Sequence, residues 1–384
     1  MTTSSFTEKN SQTDYDLVVF CHLRWDFVFQ RPQHLLTRFS KNRRVFLIEE
    51  PYFDSDVPHL DVQQRSENLF IAQPHMPKDA DIDAEMPRFV ESMIAEHGIE
   101  NFVAWFYTPM MLPWAKNLEP AATVYDCMDE LSAFKNAPAA LLDREKQLLE
   151  KADLVFTGGQ SLYEAKKDKH ERVYAFPSSI DVRHFAEALT TENEPEDQRN
   201  IPHPRIGFAG VIDERADIEL LAAIADARPD WHYVMIGPVA KIEESDLPRR
   251  GNIHYLGGKD YKDLPAYIGG WDVAMMPFAM NESTKYISPT KTPEYLAAGR
   301  PVVSTPIRDV VRPYGDQGLV FIASTADEFV ASIEKAMTLD LAAHRANAAE
   351  FLKNNSWDKT QQAMEDLIEE VVVGEGKEMA AVQA

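Results

Sequence analysis

The sequence predicts an α/β protein built from two doubly wound, Rossmann-like domains that face a cleft. Three observations predict it. Short apolar runs alternate with amphipathic helical stretches along the first half of the chain, the pattern of a parallel sheet covered on both faces. That alternation breaks at 187–204 (EALTTENEPEDQRNIPHP), which is polar, acidic and proline-containing, and then restarts. In both halves, the residues that follow strand ends are polar, aromatic or glycine, where open α/β sheets bind ligands.

In the first half, Asp16–Cys21 and Arg44–Ile48 read as buried strands around a helix at Pro32–Ser40. Phe102–Phe106, Thr123–Tyr125, Leu154–Thr157 and Val173–Phe176 continue the strands. Met86–His97, Ala139–Ala152 and Ser161–Lys169 supply helices between several of them. In the second half, strands are expected at Arg205–Ala209, His232–Ile236, Asn252–Leu256, Asp272–Met276, Pro301–Ser304 and Leu319–Ile322. Helices are expected at Asp217–Ala227, Ala326–Met337 and Leu341–Lys353. The predicted division is an N-terminal domain at 1–186, a flexible linker at 187–204 and a C-terminal domain at 205–355. A last helix at 356–372 is followed by a frayed tail beyond Gly374.

The 384 residues suffice for two such domains. A formal net charge of -23 argues against broad nucleic-acid binding, which needs a basic footprint. Cys21 and Cys127 read as reduced core residues. The N-terminus (MTTSSFTEKNSQTDYD) has no apolar leader core, and no apolar run approaches the ~20 residues that span a bilayer. A soluble, cytoplasmic protein is expected. The basic run Lys166–Arg172 (KKDKHER) reads either as a solvated helix end or as a contact with an anionic membrane surface. No paired ligand spacing predicts a metal. Walker A, GxSxG and first-turn GxGxxG motifs are absent.

Four stretches carry chemistry. In "ISPTKTPEYLAAGRPVVSTPI" (Ile287–Ile307), Thr292 reads as a helix N-cap, Pro293 as the first helical residue and Gly299 as the stop. Lys291 and Glu294 then lie at a helix N-terminus beside a strand end, where an anion is attracted and a carboxylate can hold a ribose diol. A plain first-turn glutamate favoured by the dipole explains Glu294 equally well from these residues alone. In "GFAGVIDERADIELL" (Gly207–Leu221), Gly210 admits a ligand to the backbone and Arg215 can reach a phosphate. With Lys285, Lys291 and Glu294 on the same sheet edge, a diphosphate reading is favoured over a plain turn.

"CHLRWDFVFQRPQHLL" (Cys21–Leu36) mixes Arg24, Trp25, Asp26, Arg31, Gln33 and His34 at a strand end, which suits a sugar. Packing and a local Arg24–Asp26 pair are the plainer reading. "VYDCMDELSAF" (Val124–Phe134) places Asp126 and Asp129 at another strand end, as an acid/base, a stabiliser of a cationic transition state, or simple helix caps.

Together these stretches resemble the GT-B glycosyltransferases, in particular the family 4 type and a bacterial subgroup of polysaccharide and cell-envelope synthesis. The Lys291–Val303 pattern, Lys-x-x-Glu-Tyr-x-Ala-x-Gly-x-Pro-Val-Val, is similar to that family's donor signature. The resemblance implies a GT-B fold whose last helix crosses back onto the first domain. It implies a donor site of Gly210, Arg215, Gly237, Lys285, Thr290, Lys291, Glu294 and Tyr295, with Glu294 on the ribose and Arg215 and Lys291 on the diphosphate. It implies an acceptor site of Trp25, Asp26, Arg31, Gln33 and His34, and catalysis by Asp129, Asp126 or Arg24.

The implied activity is transfer from a nucleotide-sugar, UDP-linked, to a glycan or lipid-linked acceptor, retaining, with no metal or other cofactor, in the cytoplasm or at the inner membrane face. Three features depart from the family, the first being Asp126 or Asp129 in the N-terminal catalytic loop where many relatives place a histidine. Tyr286 stands where many relatives carry a second glutamate, and Arg215 is left without its usual lysine partner. A non-catalytic nucleotide-sugar binder is the alternative, and a nucleotide-sugar 2-epimerase a lesser one, because "SPTKTPEY" lacks that group's Asp-Ser-Gly-Gly stretch.

Overall fold

The computed structural model describes residues 14–191 and 193–382, with side chains to 374. Residues 1–13, on which most of the leader reading falls, lie outside the described residues.

The first sheet contains β1 (Asp16–Phe20), β2 (Val45–Ile48), β3 (His59–Ser66), β4 (Leu69–His75), β5 (Phe102–Phe106), β6 (Ala122–Cys127), β7 (Leu154–Thr157) and β8 (Val173–Ala175). Their spatial order is β3-β4-β2-β1-β5-β6-β7-β8. All neighbours are parallel except β3, which is antiparallel to β4. The expectation of a purely parallel sheet is therefore corrected by one edge hairpin, 59–75. β3 is mostly exposed, so its apolar signal is too thin to mark it.

The second sheet contains β9 (Arg205–Ala209), β10 (His232–Ile236), β11 (Ile253–Gly257), β12 (Val273–Met276), β13 (Val302–Ser304) and β14 (Val320–Ile322), in the wholly parallel order β11-β10-β9-β12-β13-β14.

The strand period of two divides each domain's core into two layers. Leu17 and Val19 of β1 face one apolar cluster, and Val18 and Phe20 face another. The last helix, Trp357–Val382, inserts Trp357, Met364 and Ile368 into the first of these, so the chain does cross back to the first domain. Its backbone stays helical through Gly374 to Val382, which corrects the frayed-tail reading. Gly374 and Gly376 each cost a helix about 1 kcal/mol, but no proline interrupts the stretch that follows. Cys21 and Cys127 are buried and unpaired.

The reading of 187–204 as a flexible join is also corrected. Gln198 is fully buried and bonds to the Trp271 indole and the Tyr267 carbonyl, while Arg205 pairs with Glu194 and Asp197 with Lys259. Gln198, Glu194 and Asp197 tie the segment to the second domain, while most of its other polar residues stay exposed. The chain crosses between the domains near Phe176–Ile180 and returns near Asn355–Trp357. At these crossings the Ser179 and Thr360 hydroxyls bond at 2.6 Å. Among the described residues, no helix is long and apolar enough to cross a membrane. Lys166, the first residue of the basic run, is buried between Glu145 (2.6 Å) and Glu130 (2.8 Å), so it offers no charge to an anionic surface.

Candidate active site

The cleft begins where β9 ends. Gly210 takes φ +153 and Gly237, after β10, takes φ +141, both in backbone space that favours glycine. A side chain on Gly210 would meet Lys291 Cε at 2.1 Å, and one on Gly237 would meet the Gly210 carbonyl oxygen at 1.9 Å. The two glycines thus let one loop lie on the other and leave room for Lys291. Gly237→Ala is expected to lower stability by about 1–3 kcal/mol, read as the midpoint of chemical denaturation, because the clash is with backbone.

Behind this corner stands Tyr295. It is fully buried, and its hydroxyl accepts the Ala209 N–H at 2.8 Å and donates to the Ala209 carbonyl at 3.2 Å. The donor-binding expectation for Tyr295 is corrected: it braces the end of β9 and does not reach the cleft. Lys285 is corrected too. It is exposed, leans toward Glu282 at 3.7 Å and lines neither cleft cavity. Tyr286 beside it packs against the first domain's core, as an aromatic at that position can and a carboxylate cannot.

The helix carrying Lys291 and Glu294 is Lys291–Ala297, capped by Thr290 rather than Thr292. Thr290 already has helical φ and ψ, and Pro293 falls within the first turn, where its missing N–H has no intrahelical acceptor to lose. Thr292 instead turns into the core, near Met276 Sδ. Gly299, at φ +70, ends the helix as expected.

Lys291 and Glu294 have no ion-pair partner within direct contact among the described residues. Burial and the Arg215 charge lower the Lys291 pKa. Burial pushes the Glu294 carboxyl up to about 7, against the pull of Lys291 and a Thr290 hydrogen bond. Arg215 lines the same cavity with its guanidinium held by Asp213, Nη2 to Oδ2 at 2.7 Å. The following helix, Ile218–Ala227, is capped by Asp217, whose Oδ1 accepts the Leu220 N–H at 2.8 Å.

The opposite wall comes from the first domain. Asp129 follows β6 and lines the cavity with Arg215, Lys291 and Glu294. Its carboxylate accepts no hydrogen bond among the described residues. Burial raises its pKa, and the charges of Arg215, Lys241 and Arg31 oppose that rise. Glu130, its neighbour, is anchored to buried Lys166.

Asp126 differs. It is fully buried and receives Arg31 through Nε (3.0 and 3.2 Å) and Nη2 (2.9 Å), while Arg31 Nη1 donates to the Phe176 carbonyl at 2.8 Å. Burial raises the Asp126 pKa and the guanidinium opposes it. Asp126 as catalyst is corrected, since it is fully buried and spent on Arg31, whereas Arg31 lines the smaller cavity with its guanidinium held by Asp126 and the Phe176 carbonyl.

Three further expectations are corrected by the partners those residues find. Arg24 pairs with Glu49 and donates to the Glu50 and Pro51 carbonyls, with its guanidinium 3.7 Å above the Tyr52 ring, outside the cleft. Gln33 caps its own helix at the Gln30 N–H and donates to the Trp25 carbonyl. His34 is buried and stacked on Trp357 at 4.6 Å, with burial driving its pKa down to about 3. Trp25 and Asp26 do line the outer cavity, Asp26 while paired to Arg65.

Two adjoining cavities, about 630 and 190 Å³, make up the cleft. The larger lies between Trp25–Phe29 and the loops after β10 and β11, and the smaller between Asp129 and the Lys291 helix. The domains touch across them. Phe29 stacks on Tyr261 at 4.6 Å, and the Lys135 N–H donates to Glu214 at 3.2 Å.

Sequence reasoning missed Lys241, which takes φ +60 and sets its ammonium 4.5 Å from the Phe134 ring. It also missed Phe134 itself, which lies between Lys241 and Arg215. Neither belongs to a periodic pattern, and only domain closure brings them together. Among the described residues, no three His, Cys, Asp or Glu side chains are grouped to hold a metal ion.

Residues 203–338 match a family profile described as "Glycosyl transferases group 1". Over 230 residues the chain is 26% identical to the "Putative teichuronic acid biosynthesis glycosyltransferase TuaH" of Bacillus subtilis (strain 168). That match covers 52% of this chain and 57% of the relative, little more than half its length. Among solved structures, sucrose-phosphate synthase from Thermosynechococcus elongatus superposes with a TM-score of 0.71 at 15% identity, covering 94% of this chain and 100% of that one. An E. coli trehalose-6-phosphate protein bound with UDP-2-fluoro glucose gives 0.66 at 15% identity, covering 92% and 99%. These structures show the fold: two Rossmann-like domains in the GT-B arrangement.

Proposed function

We propose that this protein is a retaining, metal-independent glycosyltransferase of the family 4 type. It moves a sugar from a UDP-sugar to a glycan or lipid-linked acceptor of the cell envelope, in the cytoplasm or at the inner membrane face. One observation carries the reading: Arg215, Lys291 and Glu294 line one small cavity with Asp129 of the other domain. The group 1 profile covers the first three of these residues, the B. subtilis relative is named for polysaccharide synthesis, and a structure of the same fold is bound with a UDP-sugar analogue.

In this reading Glu294 accepts the two ribose hydroxyls. The Lys291 ammonium and the Arg215 guanidinium face the diphosphate and stabilise it as it departs. The positive charge that develops on the sugar is met by the unpartnered Asp129 carboxylate. Trp25 and Asp26, in the outer cavity, contact the acceptor. Closure of Phe29 on Tyr261 excludes water, which would otherwise hydrolyse the donor.

Calorimetric titration with UDP, GDP and ADP, with and without EDTA, tests the reading. Selective UDP binding that EDTA leaves unchanged is expected; no binding by any of the three would remove it. The ionised form of Glu294 is the one that accepts two hydroxyls, and its pKa lies at about 7. UDP affinity is therefore expected to fall about tenfold from pH 8 to pH 6. Glu294→Gln should flatten that dependence and weaken binding about 10- to 100-fold. A steep pH dependence that persists in the variant would assign the titration to another group.

A further inference from the structure

A second groove, of about 680 Å³, lies at the crossing between the domains and shares no residue with the cleft cavities. Both crossings line it, Ile180–Arg183 on the way out and Lys353–Asp358 on the way back. They are tied together there, with the Trp357 N–H donating to the Ile180 carbonyl. Any rotation of one domain against the other therefore changes the shape of this groove.

Its chemistry is unlike the rest of the chain. In a protein of net charge -23, Arg38, Lys41, Arg183, Arg345 and Lys353 line it against only Asp181 and Asp358. Arg38 is spent on Asp358 at 2.9 Å, and Lys353 leans toward Glu350 at 3.5 Å. Arg183 has no ion pair or side-chain hydrogen bond among the described residues. Among the described residues, Arg345 donates only its Nε, to the Gly299 carbonyl at 3.2 Å, and neither Nη has a partner. Two buried nitrogens that its charge reaches, Arg300 Nε and His344 Nε2, lack partners as well. The floor is apolar, from Ile180, Leu296 and Leu352. Uncompensated guanidiniums over an apolar floor select an anion with a less polar body, and forked Arg donors suit phosphate oxygens. The volume is that of a small-molecule site.

We propose that this groove is a second binding site, which takes a phosphate-bearing small molecule and couples its occupancy to closure of the cleft. The phosphate can belong to a free sugar phosphate or to a lipid headgroup. Binding at the groove does not rest on the transferase reading, whereas the coupling, which is read through UDP, does.

The full chain is titrated with glucose 6-phosphate, and separately with phosphatidylcholine vesicles with and without phosphatidic acid. Saturable binding of either phosphate source is expected, weakened about tenfold or more in Arg183→Ala and in Arg345→Ala and unchanged in Lys291→Ala. Arg183 is exposed, so its variant keeps the fold. The probe that binds identifies the source. UDP and the phosphate probe should also shift each other's affinity by the same factor. Binding lost in Lys291→Ala but kept in Arg183→Ala would place the phosphate in the cleft and overturn the proposal. So would the absence of saturable binding by both probes in folded protein. Binding without mutual influence would overturn the coupling.

Discussion

Asp129→Asn is expected to cut the rate of sugar transfer by about 10²- to 10⁴-fold and to leave UDP affinity within about twofold. The carboxylate lines the cavity that holds Lys291 and Glu294, yet no hydrogen bond among the described residues claims it. It faces the cations Arg215 and Lys241 at a distance rather than in a pair. Such a carboxylate contributes little to folding and much to a transition state that carries positive charge. The variant keeps size and shape, and its neighbour Glu130 still anchors the loop to Lys166. Steady-state kinetics together with UDP titration separate the two effects. A variant that loses UDP binding in proportion to its rate would make Asp129 a donor ligand. Full activity would move the chemistry elsewhere in the cleft.

Arg31→Met is expected to cost about 3–5 kcal/mol of stability, because it leaves Asp126 charged, buried and alone. The pair has three contacts of 2.9 to 3.2 Å, with Asp126 fully buried and Arg31 nearly so. Removing both charges, in Arg31→Met with Asp126→Leu, should recover most of the loss, since well-packed apolar groups often replace a buried pair without penalty. Equilibrium denaturation of the two single variants and the double variant measures this. Near-additive losses would mean that the residues act independently. A fall in activity at unchanged stability would return Arg31 or Asp126 to the catalytic role suggested by their position.

These two predictions show where the sequence was readable and where it was not. Asp126 and Asp129 are three residues apart at the end of one strand, and both fit an acid/base reading by type and place. Their roles diverge because Arg31, 95 positions upstream of Asp126, reaches only one of them. The same limit applies to Arg24, Gln33 and His34. Arg24 follows a strand end and Gln33 and His34 lie in the first turn of the next helix, and each finds a local or distant partner that periodicity does not reveal. Tyr295 follows Glu294 in sequence but points to the other side of its helix, into the core. The β3–β4 hairpin escaped because an exposed edge strand carries little apolar signal.

The sequence alone determined the two-domain α/β architecture, the strands that form both parallel cores, and the Lys291–Glu294 segment as the start of a short helix. It could do so because burial periodicity, glycine stops and helix ends are local and recur within a few residues. Only the tertiary structure decided which charges remain free to act. Among the described residues, Lys291, Glu294 and Asp129 have no ion-pair partner in the cleft, while Arg31, Asp126, Arg24 and Lys166 are consumed by partners. A side chain's charge is cancelled or kept by whatever folds against it, and that depends on contacts between residues far apart in the chain.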